Sequence, residues 1–248
     1  MSFSELKEAK VAIVTGGSGG IGRAVAQRLG ADGMHVVVHY SGNRAKADEV
    51  VDLITTVGGS AIALGGDVAD EPDMNKLFDE TEQHFGGVDV VVHAAGILIL
   101  STVVELNLDD LDRILRTNVR GTFVVDQQAA RRVRAGGAII NFSTSVIKRA
   151  LPTYAAYAAS KGAVDVITMI LAKELRDRDI TVNTVAPGGT ATSMFLDGKD
   201  EATLAALSKA PALGRMGVPD DIASVVAFLA GPARWINGQV IYADGGMI

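Results

Sequence analysis

Short apolar runs alternate along the chain with longer segments in which apolar residues recur at helical spacing. The short runs are rich in Val and Ile and apolar on both faces, which is typical of buried parallel strands. They cover Val11–Thr15, His35–His39, Ala61–Leu64, Val88–His93, Ala138–Phe142, Thr181–Val185 and Gln239–Tyr242. The predicted helices between them are Ile21–Gly30, Lys46–Thr56, Met74–Phe85, Leu108–Arg134, Tyr154–Arg178 and Asp220–Ala230. The alternation predicts an α/β fold: one doubly wound domain over residues 1–248, with a seven-stranded parallel sheet and helices on both faces.

One segment, 193–218, interrupts this alternation. It places roughly 25 residues without a strand between the sixth strand and the last helix, a length typical of lids and binding loops. We therefore expect a substrate lid, whose apolar residues would wall a pocket together with 97–100 and 146–151. Alternatively, these residues belong to the core of two short helices: Met194, Phe195, Leu196, Leu204, Leu207 and Leu213.

Composition narrows the possible functions. Hydrophobic residues make up 48% and charged residues 21%, so a large core can form. The net charge of −6 argues against binding to nucleic acid or to an anionic membrane. The chain has no cysteine, which excludes disulfides and thiolate metal sites, and no metal site is predicted. Neither a signal peptide at Met1–Lys7 nor an apolar run of 18 residues is present, so we expect a cytoplasmic protein.

The first predicted strand runs directly into a glycine-rich turn, Thr15 to Gly22. Glycines permit a turn that side chains would block, and the following helix offers free N–H groups to a pyrophosphate. The pattern predicts a Rossmann-type dinucleotide site, although a glycine-rich turn without a ligand would have the same sequence. The predicted cofactor contacts in this turn are Gly16, Ser18, Gly19, Gly20 and Ile21.

The end of the second strand favours NADP(H) over NAD(H), with NAD(H) still possible. An acidic residue there would bind the ribose hydroxyls of NAD, and residues 39–44 contain none. Polar groups that could accept a 2′-phosphate stand there instead: Tyr40, Ser41, Asn43 and Arg44. Arg44 and Lys46 could equally be solvated charges at a helix start. Asp67 and Val68 follow the third strand and could contact the adenine; alternatively, an aspartate in this region caps a helix.

Tyr157 and Lys161 stand four residues apart in a predicted helix, which puts both on one face. A neighbouring cation lowers the pKa of a phenol from its ordinary value of about 10, which suits Tyr157 to acid or base catalysis. The same pair would also fit an amphipathic helix with a packed Tyr and a snorkelling Lys.

Three hydroxyl residues, Ser143, Thr144 and Ser145, follow the fifth strand. They lie at the sheet edge where α/β proteins bind ligands, so Ser143 or Thr144 could polarise a substrate carbonyl. The alternative is an ordinary turn in which these hydroxyls bond their own backbone.

Six motifs follow one another along the chain: Thr15-Gly16-x-x-x-Gly20-Ile21-Gly22, Ala94-Ala95-Gly96, Asn118, Tyr157-x-x-x-Lys161, Pro187-Gly188 and Asp244-Gly245-Gly246. In this order they resemble the short-chain dehydrogenase/reductase family over essentially the whole chain. The resemblance implies that Tyr157 is the proton donor and that Lys161 binds the nicotinamide ribose and lowers the pKa of the phenol. It implies that Asn118 holds a water that connects Lys161 to solvent. The remaining cofactor contacts that it implies are Ala94, Ala95, Gly96, Pro187, Gly188, Thr190 and Thr192.

This chain departs from the family pattern at three places. Thr144 stands where the family usually has its serine, and Ser143 is the second candidate for that role. His93 replaces the first residue of the usual Asn-Asn-Ala-Gly, and we expect it to make structural hydrogen bonds. Gly19 stands where many NADP-using members carry a basic residue, which weakens the evidence for NADP(H).

The resemblance implies hydride transfer between a nicotinamide and a carbonyl or secondary alcohol, and it is nearest to the 3-oxoacyl-(acyl carrier protein) reductase-like branch. The predicted substrate is a 3-oxoacyl thioester or a small-molecule carbonyl, and the predicted assembly a homotetramer or homodimer. An acidic carrier protein would need a basic surface, for which the candidates are Arg131, Arg132, Arg134, Lys173, Arg176 and Arg178, although such charges are usually a solvated helix face. The alternative function is a catalytically silent dinucleotide sensor of the same fold.

Overall fold

A computed structural model describes residues 9–248 as a parallel sheet between two helical layers. The strands are β1 (Val11–Thr15), β2 (His35–Tyr40), β3 (Ser60–Gly65), β4 (Val88–His93), β5 (Val133–Phe142), β6 (Thr181–Pro187) and β7 (Val240–Ala243). The α-helices are α1 (Gly20–Ala31), α2 (Arg44–Thr56), α3 (Glu71–Phe85), α4 (Leu108–Ile114), α5 (Gly121–Arg132), α6 (Val146–Arg149), α7 (Ala155–Glu174), α8 (Ser193–Leu196), α9 (Glu201–Lys209) and α10 (Pro219–Ala230). The predicted absence of a signal peptide at Met1–Lys7 concerns residues outside the described range.

The strands form one sheet in the order β3-β2-β1-β4-β5-β6-β7, and every neighbouring pair is parallel. This confirms the predicted doubly wound fold with its seven-stranded parallel sheet. From β1 the strands are added towards one edge of the sheet, and from β4 towards the other edge. The carboxyl ends of β1 and β4 therefore flank the crevice where such sheets bind ligands.

The strands are apolar on both faces because each face covers its own core. Val14 and Val92 point into a core beneath α1, α2 and α10. Ile13 and Val91, one residue earlier, point into a second core beneath α3, α5 and α7. Alternate residues of one strand therefore fill opposite cores, which explains the continuous apolar runs in the sequence.

The predicted helix Leu108–Arg134 is wrong as a single element. α4 passes into a π-helical segment, Leu115–Arg120, and α5 ends at Arg132. β5 then begins five residues earlier than predicted, because the Arg134 side chain donates to both carboxylate oxygens of Asp89 in the neighbouring β4. A contact between strands far apart in sequence thus overrides the helical pattern at 133–134.

The segment 193–218 contains the short helices α8 and α9 and a β-bridge between Thr190 and Gly217. Neither helix has a buried residue, and the side chains of Met194 and Leu213 are 52% and 70% exposed. The other four apolar residues named for this segment, Phe195, Leu196, Leu204 and Leu207, are half-buried, so none of the six lies in a closed core. The substrate lid stays a prediction.

Helix α7 ends at Glu174 rather than at the predicted Arg178, because Asp177 and Asp179 adopt left-handed backbone conformations with φ of 66° and 51°. By length and composition alone α7 could cross a membrane, with a mean hydropathy of 1.3. Lys161 and Asp165 interrupt this helix, so it contains no apolar run of 18 residues, and the expectation of no membrane span stays a prediction. One face of α7 packs on β6, and a third of the apolar window is buried within the protein, as in a helix that covers a sheet.

Candidate active site

The turn between β1 and α1 forms a backbone cradle. Gly16 has φ of 65°, and a Cβ on it would come within 3.0 Å of the Ala95 backbone. A Cβ on Gly22 would lie 2.3 Å from the Gly16 carbonyl oxygen, so only glycine permits this approach of helix to turn. Gly19 begins α1 without a side-chain cap, and a Cβ there would meet no atom within 4 Å in the described part of the chain. The free N–H groups of α1 therefore face open space that fits a pyrophosphate.

His39 fixes this cradle from the neighbouring β2. The backbone N–H of Gly17 donates to the His39 carbonyl at 2.9 Å, and that of Gly16 to His39 Nδ1 at 3.4 Å. His39 Nε2 is then the donor to the Gly66 carbonyl, at 3.0 Å. Burial lowers the pKa of His39 to about 4, so the ring is neutral at physiological pH. Sequence reasoning missed this role, although a histidine in an otherwise apolar strand end was a usable signal.

Tyr40, the last residue of β2, is half-buried, and the polar residues that follow it are exposed. The Tyr40 ring packs over Gly65, where a Cβ would lie 2.9 Å from it. Asn43 caps α2 by accepting from the Lys46 N–H at 3.1 Å, and Arg44 pairs with Asp48 at 3.4 Å. Asn43 and Arg44 thus have structural contacts of their own. Ser41 is exposed beside them.

Asp67 and Val68 lie at the carboxyl end of β3. Asp67 accepts from the Ala69 N–H at 2.9 Å and pairs with Arg116 at 2.6 Å. The cap of α3 is Asp70, which confirms that an aspartate of this region caps a helix and shows that it is not Asp67. Val68 is buried, with only 4% of its surface exposed. Any contact of the Asp67 side chain with an adenine would therefore compete with the Arg116 ion pair.

Tyr157 and Thr144 meet at the carboxyl edge of the sheet. The Val146 N–H donates to Thr144 Oγ1 at 3.2 Å, so the Thr144 proton remains available to the Tyr157 hydroxyl, whose pKa the Thr144 hydroxyl lowers. Tyr157 is partly exposed and Thr144 is buried. Of the three hydroxyls after β5, the structure therefore brings that of Thr144 to the phenol.

The pKa of the Tyr157 phenol is raised rather than lowered. Burial raises it to about 12, the neighbouring Tyr154 adds to this, and the bond from Thr144 opposes it. Burial therefore sets the net direction of this pKa, and the lowering effect expected from Lys161 stays a prediction. The Lys161 ammonium instead donates to the Phe142 carbonyl at 2.8 Å, and the cost of burying the phenolate dominates.

Lys161 and Asn118 approach each other across Gly96. A Cβ on Gly96 would lie 3.3 Å from Lys161 Nζ and 3.2 Å from Asn118 Oδ1. Burial lowers the pKa of Lys161 to about 8, and Asp165 opposes this. Lys161 therefore still carries its charge at neutral pH.

Asn118 lies in the π-helical segment and its side chain is fully buried. Its amide bonds both backbone groups of Ile97 at 2.9 Å and donates to Ser160 Oγ at 3.0 Å. Ser160 in turn donates to the Tyr157 carbonyl at 2.7 Å. The amide thus clamps the loop after β4 to the catalytic helix α7, and its predicted water-holding role stays a prediction.

His93 and Ser143 have structural partners. Thr15 Oγ1 accepts from the Ala95 N–H and so donates to His93 Nδ1 at 2.8 Å. Burial, followed by the Lys161 charge, lowers the pKa of His93 to about 3, which keeps its ring neutral. The Ser143 hydroxyl lies 3.4 Å from the Lys161 carbonyl and not against the phenol.

The loop after β6 reaches back to the glycine cradle. Thr190 Oγ1 donates to the Gly188 carbonyl at 3.0 Å, and the Thr192 methyl group would lie 3.5 Å from a Cβ on Gly20. Pro187 is the last residue of β6, and its carbonyl accepts from Ser145 at 3.0 Å. The predicted nicotinamide contacts Pro187, Gly188, Thr190 and Thr192 therefore bridge the cradle and the hydroxyl residues after β5, as a bound dinucleotide would.

Two sequence comparisons bear on the family. A family model described as enoyl-(acyl carrier protein) reductase matches residues 16–248. A short-chain type dehydrogenase/reductase of Picea abies is 42% identical over 250 residues, covering 96% of this chain and 92% of that protein. The versicolorin reductase stcU of Emericella nidulans is 41% identical over 252 residues and covers 96% of each chain.

Solved structures share the fold over nearly the full length. A short-chain dehydrogenase of Burkholderia cenocepacia, in complex with NADP, superposes with a TM-score of 0.90 at 39% identity, covering 98% of this chain and 99% of that one. The angucycline C-6 ketoreductase LanV with bound NADP gives 0.90 at 36% identity, covering 96% and 95%. Together with the convergence of cradle, phenol and ammonium, these matches show that the chain belongs to the short-chain dehydrogenase/reductase family of NAD(P)-dependent oxidoreductases.

Proposed function

We propose that the protein is an NADP(H)-dependent reductase that converts the ketone of a small molecule to a secondary alcohol. The observation that carries this proposal is the grouping of the Tyr157 phenol, the Thr144 hydroxyl that lowers its pKa and, one helical turn along α7, the buried Lys161 ammonium at the carboxyl edge of the sheet. A catalytically silent sensor would not need a protonated phenol and an ammonium at this edge.

Each residue of the site has a separate role in the proposed reaction. A bound nicotinamide supplies the hydride, which is transferred to the carbonyl carbon. Because the pKa of Tyr157 is about 12, the phenol holds its proton at neutral pH and can donate it to the carbonyl oxygen. The Thr144 hydroxyl donates to the same oxygen and polarises the carbonyl. The Lys161 cation then stabilises the phenolate that remains.

Preference for NADP(H) is supported by the surface after β2. Ser41, Asn43 and Arg44 present exposed polar groups there, and residues 39–44 contain no carboxylate that would repel a 2′-phosphate. The two solved relatives described above were determined with NADP. Titration of the protein with NADPH and NADH in a calorimeter tests this: tighter binding of NADH would overturn the preference.

A free ketone fits the surface better than a substrate on an acidic carrier protein. Within the predicted basic surface, Arg132 pairs with Asp79 and Glu82, and Arg134 pairs with Asp89, so part of its charge is already neutralised. The names of the versicolorin reductase and the C-6 ketoreductase also indicate ketone substrates for those proteins.

Substrate class is tested by the loss of absorbance at about 340 nm as NADPH is consumed. The panel contains aromatic ketones, aliphatic ketones, aldehydes and acetoacetyl thioesters. Turnover of the free ketones supports the proposal, and turnover of the thioester alone would replace it with the 3-oxoacyl reductase function. No oxidation of NADPH with any member of the panel, although NADPH binds, would favour the sensor.

We further propose that the protein is a homodimer or homotetramer. A groove of about 920 Å³ lies between α5 and α7, and its lining includes Phe123, Val166 and Ile170, whose side chains are 49–58% exposed. Light scattering at several protein concentrations tests this, and a monomer at all of them would contradict it.

A further inference from the structure

Asp165 is a carboxylate that the mechanism above does not use. It follows Lys161 by four residues on α7, so both side chains lie on the helix face that also carries Tyr157. Burial raises the pKa of its carboxyl, and the nearby Ser143 hydroxyl, whose own hydrogen bond goes to the Lys161 carbonyl at 3.4 Å, opposes this. Its Oδ1 is buried and lacks a hydrogen-bond partner within residues 9–248. Buried polar atoms without a hydrogen-bond partner are uncommon in folded proteins, so this oxygen needs a physical explanation.

Charged and titratable groups approach Asp165 from three elements. Lys161 lies on its own helix, Lys148 on α6, and Tyr242 on β7. Burial raises the pKa of the Tyr242 phenol, and the Asp165 carboxylate and Asp244, which directly follows β7, raise it further. Burial raises the pKa of the Asp165 carboxyl, and both lysines oppose this. Two cations and one phenol thus interact with this carboxyl group.

Asp165 raises the pKa of the Lys161 ammonium. Burial lowers the pKa of the Lys161 ammonium, and Asp165 is the acidic group that counteracts this among the described residues. The other ionisable group coupled to this ammonium is His93, which is neutral because it is buried. The charge of Lys161 at the pH of the reaction therefore depends on one carboxylate one helical turn away.

We propose that Asp165 is a positioning residue that keeps the Lys161 ammonium, one helical turn away on α7, protonated at the carboxyl edge of the sheet. The part of this inference that concerns catalysis rests on the proposed reductase function. The part that concerns the charge of Lys161 is independent of it.

The substitution Asp165→Asn removes the charge and keeps the shape. Without the anion the ammonium is less favoured, so Lys161 loses its proton at a lower pH, by about one pH unit for an opposite charge at this kind of separation. Because Lys161 must be charged, the alkaline limb of the kcat profile moves to lower pH by the same amount. A carboxylate restored by Asp165→Glu should recover most of the shift.

The test has a readout that needs no cofactor. In the ligand-free protein, the 13Cε resonance of Lys161, identified by its loss in Lys161→Arg, is followed by NMR as a function of pH for wild type, D165N, D165E and Glu174→Gln. Glu174 is the matched control, an exposed acid at the end of the same helix. We expect a lower midpoint for D165N and wild-type midpoints for D165E and the control.

An unchanged Lys161 midpoint in a folded D165N protein would overturn the inference, as would an equal shift in Glu174→Gln. A shifted midpoint in a protein that reduces no carbonyl would instead support the electrostatic role and contradict the reductase function. A shifted Lys161 midpoint with an unshifted alkaline limb of the kcat profile would show that Asp165 sets the charge of Lys161 without governing catalysis. That result would overturn the catalytic part of the inference.

Discussion

Asp126 offers a direct test of how burial controls charge in this protein. It lies on α5 and is 3% exposed; one carboxylate oxygen accepts from Asn141 Nδ2 at 2.9 Å and the other lacks a partner within the described range. Burial raises the pKa of this carboxyl from 3.8 to about 7, and the bond from Asn141 opposes the rise. The native protein therefore holds a proton here that the unfolded chain releases.

The sign of the effect follows from this raised pKa. Below pH 3.8 both states are protonated, and the group costs no stability. As the pH rises towards 7, the unfolded state gains from ionising while the native state does not, so stability falls by about 1.4 kcal/mol per pH unit. Over the whole window the loss is about 4 kcal/mol, and between pH 5 and pH 8 it is about 2.5 kcal/mol.

Asp126→Asn removes this titration. We expect its stability relative to wild type to increase by about 2.5 kcal/mol between pH 5 and pH 8, measured by urea unfolding at fixed protein concentration. The titrations of His39 and His93 are common to both proteins and cancel in the difference. Asp112→Asn, at an exposed position of α4, is the control and should show no such increase. A difference between D126N and wild type that is independent of pH would refute the argument.

Three further substitutions test the site. Gly22→Ala places a methyl group 2.3 Å from the Gly16 carbonyl and should abolish NADPH binding in calorimetry; wild-type affinity would mean that the cradle is not the binding site. Asn118→Ala removes three hydrogen bonds, two of them to Ile97, and should lower the unfolding free energy by about 3 kcal/mol, whereas a loss below about 1 kcal/mol would contradict the clamp. Thr144→Val keeps the shape of the side chain but not its hydroxyl, and should lower kcat by about 100-fold with little change in NADPH affinity; an unchanged kcat would exclude its polarising role.

Much of the fold could be predicted because strands that are buried on both faces of the sheet appear in the sequence as continuous apolar runs. β1 and β4 begin and end where the apolar runs predict, since each residue fills one of the two cores. The π-helical segment could not be predicted in this way, because the helical pattern continues through it. The amide of Asn118 lies there, bonded to a loop 21 residues away, and long-range contacts of this kind have no local signature.

The same distinction between local and long-range features applies to the residues of the candidate active site. The spacing of Tyr157 and Lys161 and the glycines of the first turn are local features, and the sequence predicted that they belong to one site. The pKa of the phenol depends on how much protein surrounds it, so its direction was predicted wrongly. His39 acts through contacts between elements, and the role of Asp165 depends on the burial of its carboxylate against the sheet, so neither was singled out from the sequence.

The central claim is that the Tyr157 phenol donates the proton to the substrate oxygen. Single-turnover reduction of a ketone substrate by NADPH, compared between wild type and Tyr157→Phe, tests it most directly, with Tyr154→Phe as the matched control. We expect the rate of the chemical step to fall by about 10³-fold in Tyr157→Phe while NADPH affinity is unchanged. A rate within a few-fold of wild type, or an equal fall in Tyr154→Phe, would contradict the account.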